Sequence, residues 1–371
     1  MKRSSEELLA FIFERIGKIA TITDNAELFE ALAKMGRDIV FADRCTIWIL
    51  DKKKKKLWTK VAQGVGGTLT IDAYSGIVGF AIQSSEPIIL NDVYKDTRFN
   101  PKVDEKTGYK TETMMVIPMK NRKNEVVGAI QVINKKKKKM FSEEDMKYLV
   151  LTSTYVTETI RATLLLEEID ATQRELIYTL GVVGESRSEE TASHVKRVSE
   201  YSYLLGQLYG LSQKECVTVR DVAPMHDIGK IAIPDAILQK NGCLDDAEKK
   251  RMMTHPELGH NIFKNSERGL LKAAAIVAYE HHEKYDGSGY PRGLKGKDIH
   301  IFGRIVALAD VFDALSSERY YKKAWEKEKI LAYIKKEKGK HFDPELVELF
   351  MDNYHAFLTI QKKFTEVLDE K

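Results

Sequence analysis

Eight side chains in the carboxy-terminal half have the types and spacing of metal ligands: Glu190 with His194, His226 with Asp227, His281 with His282, and His255 and Asp310. Seven of the nine histidines fall in the window from 194 to 300. Glu190 and His194 are four residues apart, so on a helix they share one face and can point into one site. His226 and Asp227 stand in Met225-His226-Asp227-Ile228-Gly229-Lys230, between apolar residues. A carboxylate buried beside an imidazole is unfavourable unless something cationic compensates it, and a divalent metal is the economical compensation. The same hexapeptide also reads as a capped helix end before Gly229 with its polar groups satisfied internally, so the donors alone leave many hydrolases open.

The elements that must position these donors are helical. Beyond Glu185 the apolar pattern keeps a helical period almost throughout, interrupted mainly at Asn241-Gly242 and from Asp286 to Gly296, which predicts an all-α catalytic domain. Upstream, no Gly or Pro occurs from Ser142 until Gly181, and Ser142-Glu143-Glu144-Asp145 supplies a cap with acids in the first turn, so one long helix is predicted to about Arg187. Along it Ala162, Leu166, Ile169, Gln173, Leu176, Leu180 and Val183 alternate spacings of four and three, the seam of a two-stranded coiled coil. A seam needs a partner helix, so a homodimer is expected; docking of these residues on the next domain is the other reading. Residues 5 to 41 are helically periodic, after which Cys45 to Leu50, Leu57 to Ala62, Ile88 to Leu90, Met114 to Met119 and Val126 to Ile133 alternate with turn chemistry. These runs predict an antiparallel sheet flanked by helices.

A length of 371 residues suggests two domains, and 43% hydrophobic with 31% charged residues is globular composition. The formal charge of +4 gives no reason to expect a partner among polymeric nucleic acids. The lysine runs Lys52 to Lys56 and Lys135 to Lys139 each follow a predicted strand without interleaved aromatic residues, and read as solvated turns. Cys45, Cys216 and Cys243 lack paired spacing, which fits a reducing cytoplasm. The first twenty residues are broken by charges, and no apolar run approaches the roughly 20 residues that span a bilayer, so neither a signal peptide nor a membrane partner is expected.

The order of elements over residues 5 to 165 resembles a GAF domain, a small-ligand sensor whose ligand here is unknown. Asn134, Lys135, Phe141 and Asp145 loosely echo the motif of cyclic-nucleotide-binding GAF domains, with Met146 where its final acid should be. In the second half, His194, His226-Asp227 and Asp310 match the H…HD…D pattern of HD-domain phosphohydrolases. His281-His282-Glu283, Asp286-Gly287, Gly289-Tyr290-Pro291, Gly293-Leu294, Gly296, Ile299, Arg304-Ile305 and Asp310 to Leu315 follow the HD-GYP signature. This resemblance spans about residues 170 to 360. It implies a GAF-like sensor domain over 1–145, a connecting helix over 146–187, and an HD-GYP domain, an all-α HD-superfamily bundle, over 188–371.

The resemblance further implies a cyclic di-GMP phosphodiesterase yielding pGpG, GMP or both, with two or three divalent metal ions, iron or alternatively manganese. Its ligand set carries over to Glu190, His194, His226, Asp227, His255, His281, His282 and Asp310, with Asp227 as the bridge and Glu190 deciding whether a third ion is held. Lys230 corresponds to the family lysine near the scissile phosphate, with Asp313 as its expected neighbour in catalysis. Tyr290 is expected to meet guanine or phosphate, Arg319 and Lys322 to contact substrate, and Glu283 and Asp286 to brace the loop. Tyr320 stands where the family usually has proline. The rival readings are a non-catalytic module that binds cyclic dinucleotides and a general HD hydrolase of mononucleotides.

Overall fold

The computed structural model describes residues 5–60, 68–101, 104–105, 108–187, 191–317 and 324–365. The chain divides into two compact units, Met1–Glu168 and Ile169–Lys371. Glu190, Arg319 and Lys322 lie outside the described residues.

In the first unit, α1 (Ser5–Ile19) and α2 (Asn25–Ile39) precede β1 (Ala42–Asp51), β2 (Lys56–Thr59) and β3 (Leu69–Asp72). After α3 (Gly76–Ser84) come β4 (Ile88–Leu90), β5 (Met114–Lys120) and β6 (Val126–Lys135). The six strands form one sheet in the order β3-β2-β1-β6-β5-β4, antiparallel throughout. Successive side chains of a strand point to opposite faces. Cys45, Ile47, Ile49, Met115 and Ile117 accordingly pack with α1 and α2, while Trp48, Met114, Val116 and Ala129 pack with α3. Both faces are covered, which is why the strands read as nearly continuous apolar runs. Lys52 to Lys55 form the exposed turn between β1 and β2, and Lys136, Lys137 and Lys139 are exposed after β6, as solvated turns should be.

The echo of a nucleotide-binding motif is taken up by the fold. Asn134 sits at φ 54°, its Oδ1 accepting from the Glu112 and Thr113 amides at 2.7 and 3.2 Å and its Nδ2 donating to the Lys110 carbonyl at 2.8 Å. Lys135 pairs with Asp145 at 2.5 Å, and the Phe141 backbone exchanges hydrogen bonds with the Asn91 side chain. These residues tie the end of β6 to the start of the following helix.

That helix, α4 (Glu143–Ser186), is 44 residues long. The Asp145 amide donates to Ser142 Oγ and the Ser142 amide to Asp145 Oδ2, a reciprocal cap that fixes its start. Leu166 and Leu176 on the expected seam are 64% and 58% exposed, and Ile169, Leu180 and Val183 are exposed with them, so a single chain leaves the seam uncovered. No helix among the described residues is long and apolar enough to cross a membrane.

The second unit is helical among its described residues: α5 (Ala192–Tyr209), α6 (Gln213–Val222), α7 (Asp235–Leu238), α8 (Asp246–Met252), α9 (His255–Phe263), α10 (Gly269–Glu280), α11 (Ile301–Ser316), α12 (Lys327–Lys336), α13 (Pro344–Asp352) and α14 (Tyr354–Thr365). Its core is centred on α11, where Phe312 is fully buried with ring centroids 5.0 Å from Tyr201 and 5.0 Å from Phe350. Gly303 lets α11 lie against α10, since a Cβ there would stand 2.7 Å from that of Glu280. The aromatic cluster forms the floor on which Asp310 and Asp313 are presented three residues apart on α11. Phe312→Ala is therefore expected to destabilise this unit by about 3–5 kcal/mol, read as a lower urea midpoint by circular dichroism; a loss below about 1 kcal/mol would contradict the assignment.

Candidate metal centre

His226 and Asp227 lie between two 3-10 turns, Ala223–Met225 and Ile228–Ala232, rather than inside a regular helix. Pro224 opens the first turn, and Gly229 allows the second to press on the start of α9, where a Cβ would collide with the His255 carbonyl oxygen. That approach sets His255 opposite Asp227. His281 and His282 follow the end of α10, Asp310 projects from α11, and His194 sits in the first turn of α5, whose cap is the Thr191 hydroxyl accepting from the His194 amide.

The histidines are anchored in one way. Nδ1 lies 2.9 Å from the Ala223 carbonyl in His226, 2.8 Å from the Met252 carbonyl in His255, and 3.1 Å from the Ala278 carbonyl in His281. A carbonyl only accepts, so Nδ1 carries the hydrogen and, in the neutral ring, Nε2 presents a lone pair. His194 Nδ1 bonds Asp313 at 2.8 Å with the same result. All four Nε2 atoms then turn toward carboxylates. Asp227 Oδ1 lies 3.0 Å from His255 Nε2 and 3.5 Å from His281 Nε2, while its Oδ2 lies 3.3 Å from His226 Nε2. Asp310 Oδ1 is 3.7 Å from His194 Nε2 and 3.9 Å from that of His226. The Nε2 atoms of His255 and His281 are 3.2 Å apart. Lone pairs gathered against carboxylate oxygens repel unless protons or metal ions stand between them.

Two groups of donors result: Asp227, His255, His281 and His282; and Glu185, His194 and His226. Within each, the ligand atoms lie within 4.8 Å of one another. Asp227 turns one oxygen to each group, the position of a bridge. Buried His226 Nε2 has no hydrogen-bond partner among the described residues, and the donor set is one that divalent transition metals accept, so the residues present fit such ions.

Lys230 stands beside this set, its Nζ 2.5 Å from Asp227 Oδ2 and 3.5 Å from Glu185 Oε2. The sequence reading gave it Asp313 as neighbour. Asp313 is instead gripped by Arg197, at 2.6 and 2.8 Å, and by His194, so it orients the His194 ring and fixes its tautomer. Tyr290 stacks on His282 at 4.8 Å between ring centroids. Its loop is held by Glu283, which accepts from the Arg292 and Leu294 amides at 2.8 and 2.9 Å, and by Asp286, which accepts from the Ser288 amide at 2.8 Å.

Glu185 and Arg197 escaped the sequence reading. Arg197 is three residues from His194 and so on its face of α5, which was the available signal. Glu185 had only its helical phase, on the side of α4 away from the exposed seam.

Burial would lower the His226 pKa, but the negative charge of Asp227, with the charges of Asp310 and Glu185, pushes it up to about 10. Burial would raise Asp227, yet Lys230 and His226 hold it well below the usual carboxylate range. Burial and the neighbouring His281 and His255 keep His282 well below an ordinary histidine. These neighbours favour the protonated His226 ring, so binding a metal there is expected to expel a proton. Manganese titration at pH 7.5 should release close to one proton or more per chain, seen as a calorimetric enthalpy that depends on the buffer's ionisation enthalpy, and affinity should fall as pH drops. A buffer-independent enthalpy would contradict this.

The GAF domain family profile matches residues 24–160 and the HD domain family profile residues 183–346. A 3′3′-cGAMP-specific phosphodiesterase 2 of Vibrio cholerae is 44% identical over 59% of this chain and 42% of its own. The cyclic di-GMP phosphodiesterase response regulator RpfG of Xanthomonas campestris is 41% identical over 50% of this chain and 49% of its own. A cyclic di-GMP phosphodiesterase of Thermotoga maritima is 41% identical over 52% and 50%. The chain spans half or less of the length of these curated relatives. The six-stranded sheet between helices thus lies in the part of the chain that matches the GAF domain profile, and the His-Asp cluster on a helical bundle in the part that matches the HD domain profile.

Proposed function

We propose that this chain is a metal-dependent phosphodiesterase of the HD-GYP type that hydrolyses cyclic di-GMP, or a related 3′3′-linked cyclic dinucleotide, to pGpG and GMP. The observation that carries the reading is Asp227, whose two oxygens face two separate donor groups with Lys230 against one of them. The ions are two or three in number, iron or alternatively manganese. His194, His226, Asp227, His255, His281, His282 and Asp310 would hold them, with Glu190 at the third. Bound there, they supply a hydroxide at neutral pH and offset charge on phosphoryl oxygens.

Charge balance supports a dianionic substrate. Among the described residues, Glu185, Asp227 and Asp310 set three carboxylates against the ammonium of Lys230, while Asp313 is balanced by Arg197. With neutral imidazoles these described groups carry two net negative charges, which divalent ions would more than offset. A cyclic dinucleotide brings two phosphodiester charges to meet them. Lys230 then stabilises charge on the departing oxygen or protonates it. Tyr290, stacked on His282, offers its outer edge to a guanine or a phosphate, and Arg319 and Lys322 are assigned to the substrate phosphates and base. The relatives named for 3′3′-cGAMP make a mixed guanine and adenine substrate the second reading.

The GAF domain is assigned to regulation by a small ligand. A cavity of about 420 Å³ beside Asn134, lined by Asp43, Tyr109, Glu112, Lys136 and Lys139 among others, offers room for one. The exposed seam of α4 supports a homodimer.

The test is incubation of manganese- or iron-loaded protein with cyclic di-GMP and with 3′3′-cGAMP, resolving products by chromatography. Linear pGpG and GMP are expected, with activity falling below about pH 6 as ligands protonate, and Lys230→Ala should lower kcat by about a hundredfold or more. Binding without cleavage would support a non-catalytic module instead, and cleavage of mononucleotides alone a general hydrolase. In sedimentation experiments Leu176→Glu with Leu180→Glu should convert a dimer to a monomer; a wild-type monomer would remove the seam's role.

A further inference from the structure

We propose that Glu185, on the last turn of α4, is a ligand of the metal centre, on the ion held by His194 and His226. The proposal rests on the reading of this cluster as a metal site and adds a residue that the sequence pattern does not assign. Glu185 is 1% exposed, and its Oε1 lies 3.6 Å from His226 Nε2, an imidazole nitrogen that is itself fully buried and has no hydrogen-bond partner among the described residues. The ligand atoms of Glu185, His194 and His226 fall within 4.8 Å of one another, so small adjustments would bring them around one ion. For bonds of about 2.1 Å, octahedral donors are roughly 3 Å apart when adjacent and 4.2 Å when opposite. Both the Glu185–His226 separation and the 3.7 Å between His194 and Asp310 fall inside that interval.

Glu185 reaches this point because the end of α4 is built to sit close to the His226–Asp227 segment. Gly181 lies against Pro224, where a Cβ would clash with the proline, and Gly184 lies against Ile228, where a Cβ would be 3.3 Å from the side chain. Arg187, two residues beyond Glu185, donates to the carbonyls of Ile231 and Ile233 and pairs with Asp235 at 2.5 Å. Two glycines before the carboxylate and an arginine after it thus fasten the helix end to the chain on either side of His226 and Asp227. Because α4 starts at Glu143, a turn of this helix about its axis would withdraw a metal ligand, giving the sensor half a direct handle on ion occupancy.

The experiment counts metal in the full chain. Wild type, Glu185→Gln and Glu190→Gln are purified after anaerobic loading with iron or manganese, passed through gel filtration, and measured by plasma mass spectrometry. Glu185→Gln should hold one ion fewer per chain than wild type while keeping the ion at Asp227, His255, His281 and His282. Wild-type metal content in Glu185→Gln overturns the proposal and leaves the metal centre standing, whether or not Glu190→Gln loses an ion. A metal-free wild type overturns the reading of the centre itself. Where circular dichroism shows that Glu185→Gln does not fold, Glu185→Asp is titrated with manganese: weakening by about tenfold or more supports the proposal, and unchanged affinity overturns it.

Discussion

Everything in the second unit is arranged around one buried carboxylate. Asp227 is 7% exposed, and an anion at that depth is tolerated only where cations or donors surround it. The imidazoles that face it cannot all be donors, because backbone carbonyls have claimed the Nδ1 hydrogens of His226, His255 and His281. Protonating several crowded rings is opposed by burial, which already holds His281 and His282 below ordinary histidines. Lys230 and a protonated His226 balance the carboxylate when nothing else does. Metal ions satisfy every lone pair at once, so the backbone that fixes the tautomers has in effect selected for them.

The surrounding architecture follows from that demand. Close approach of the Asp227 segment to α9 needs Gly229, and close approach of α11 to α10 needs Gly303, because the donors come from different helices and their side chains are short. Arg197 and Asp313 form a buried pair whose net charge is zero, so Asp313 can accept the His194 hydrogen without adding to the negative charge of the site. Glu280 plays a comparable part at the end of α10, next to His281, receiving Arg292 at 2.5 Å and the His300 amide at 2.6 Å, and thereby holding the loop that bears Tyr290. These polar groups are satisfied in networks, which is what lets a helical bundle carry so many of them in its interior.

What could be read from the sequence was what local chemistry determines. The long helix announced itself by an absence of Gly and Pro and by the Ser142 cap, and the sheet by apolar runs between turns such as Asn121 to Asn124. The donors at His194, His226, Asp227, His255, His281, His282 and Asp310 were legible because side-chain type alone marks a potential ligand. The partners of those side chains were not legible in the same way. Lys230 was paired in expectation with Asp313, but the guanidinium of Arg197 and the His194 ring take up Asp313, a choice made by how α5 packs on α11. Asn134, Lys135, Phe141 and Asp145 carried a motif-like spacing, and in the structure they make hydrogen bonds and an ion pair within the GAF unit.

Glu185 illustrates the limit most clearly, because its neighbours along the chain offer two competing acids. Glu189 and Glu190 stand near His194 in sequence, and a spacing of four is the stronger local signal. The phase of α4 adds Glu185, which no such spacing marks. Val183 and Glu185 are two residues apart, about 200° around a helix, so an exposed Val183 requires Glu185 on the inward side. Ile177, Gly181 and Gly184 share that buried side, and the glycines place backbone where side chains would otherwise hold the helix away. One helix therefore presents an apolar seam on one side and a carboxylate to the metal site on the other.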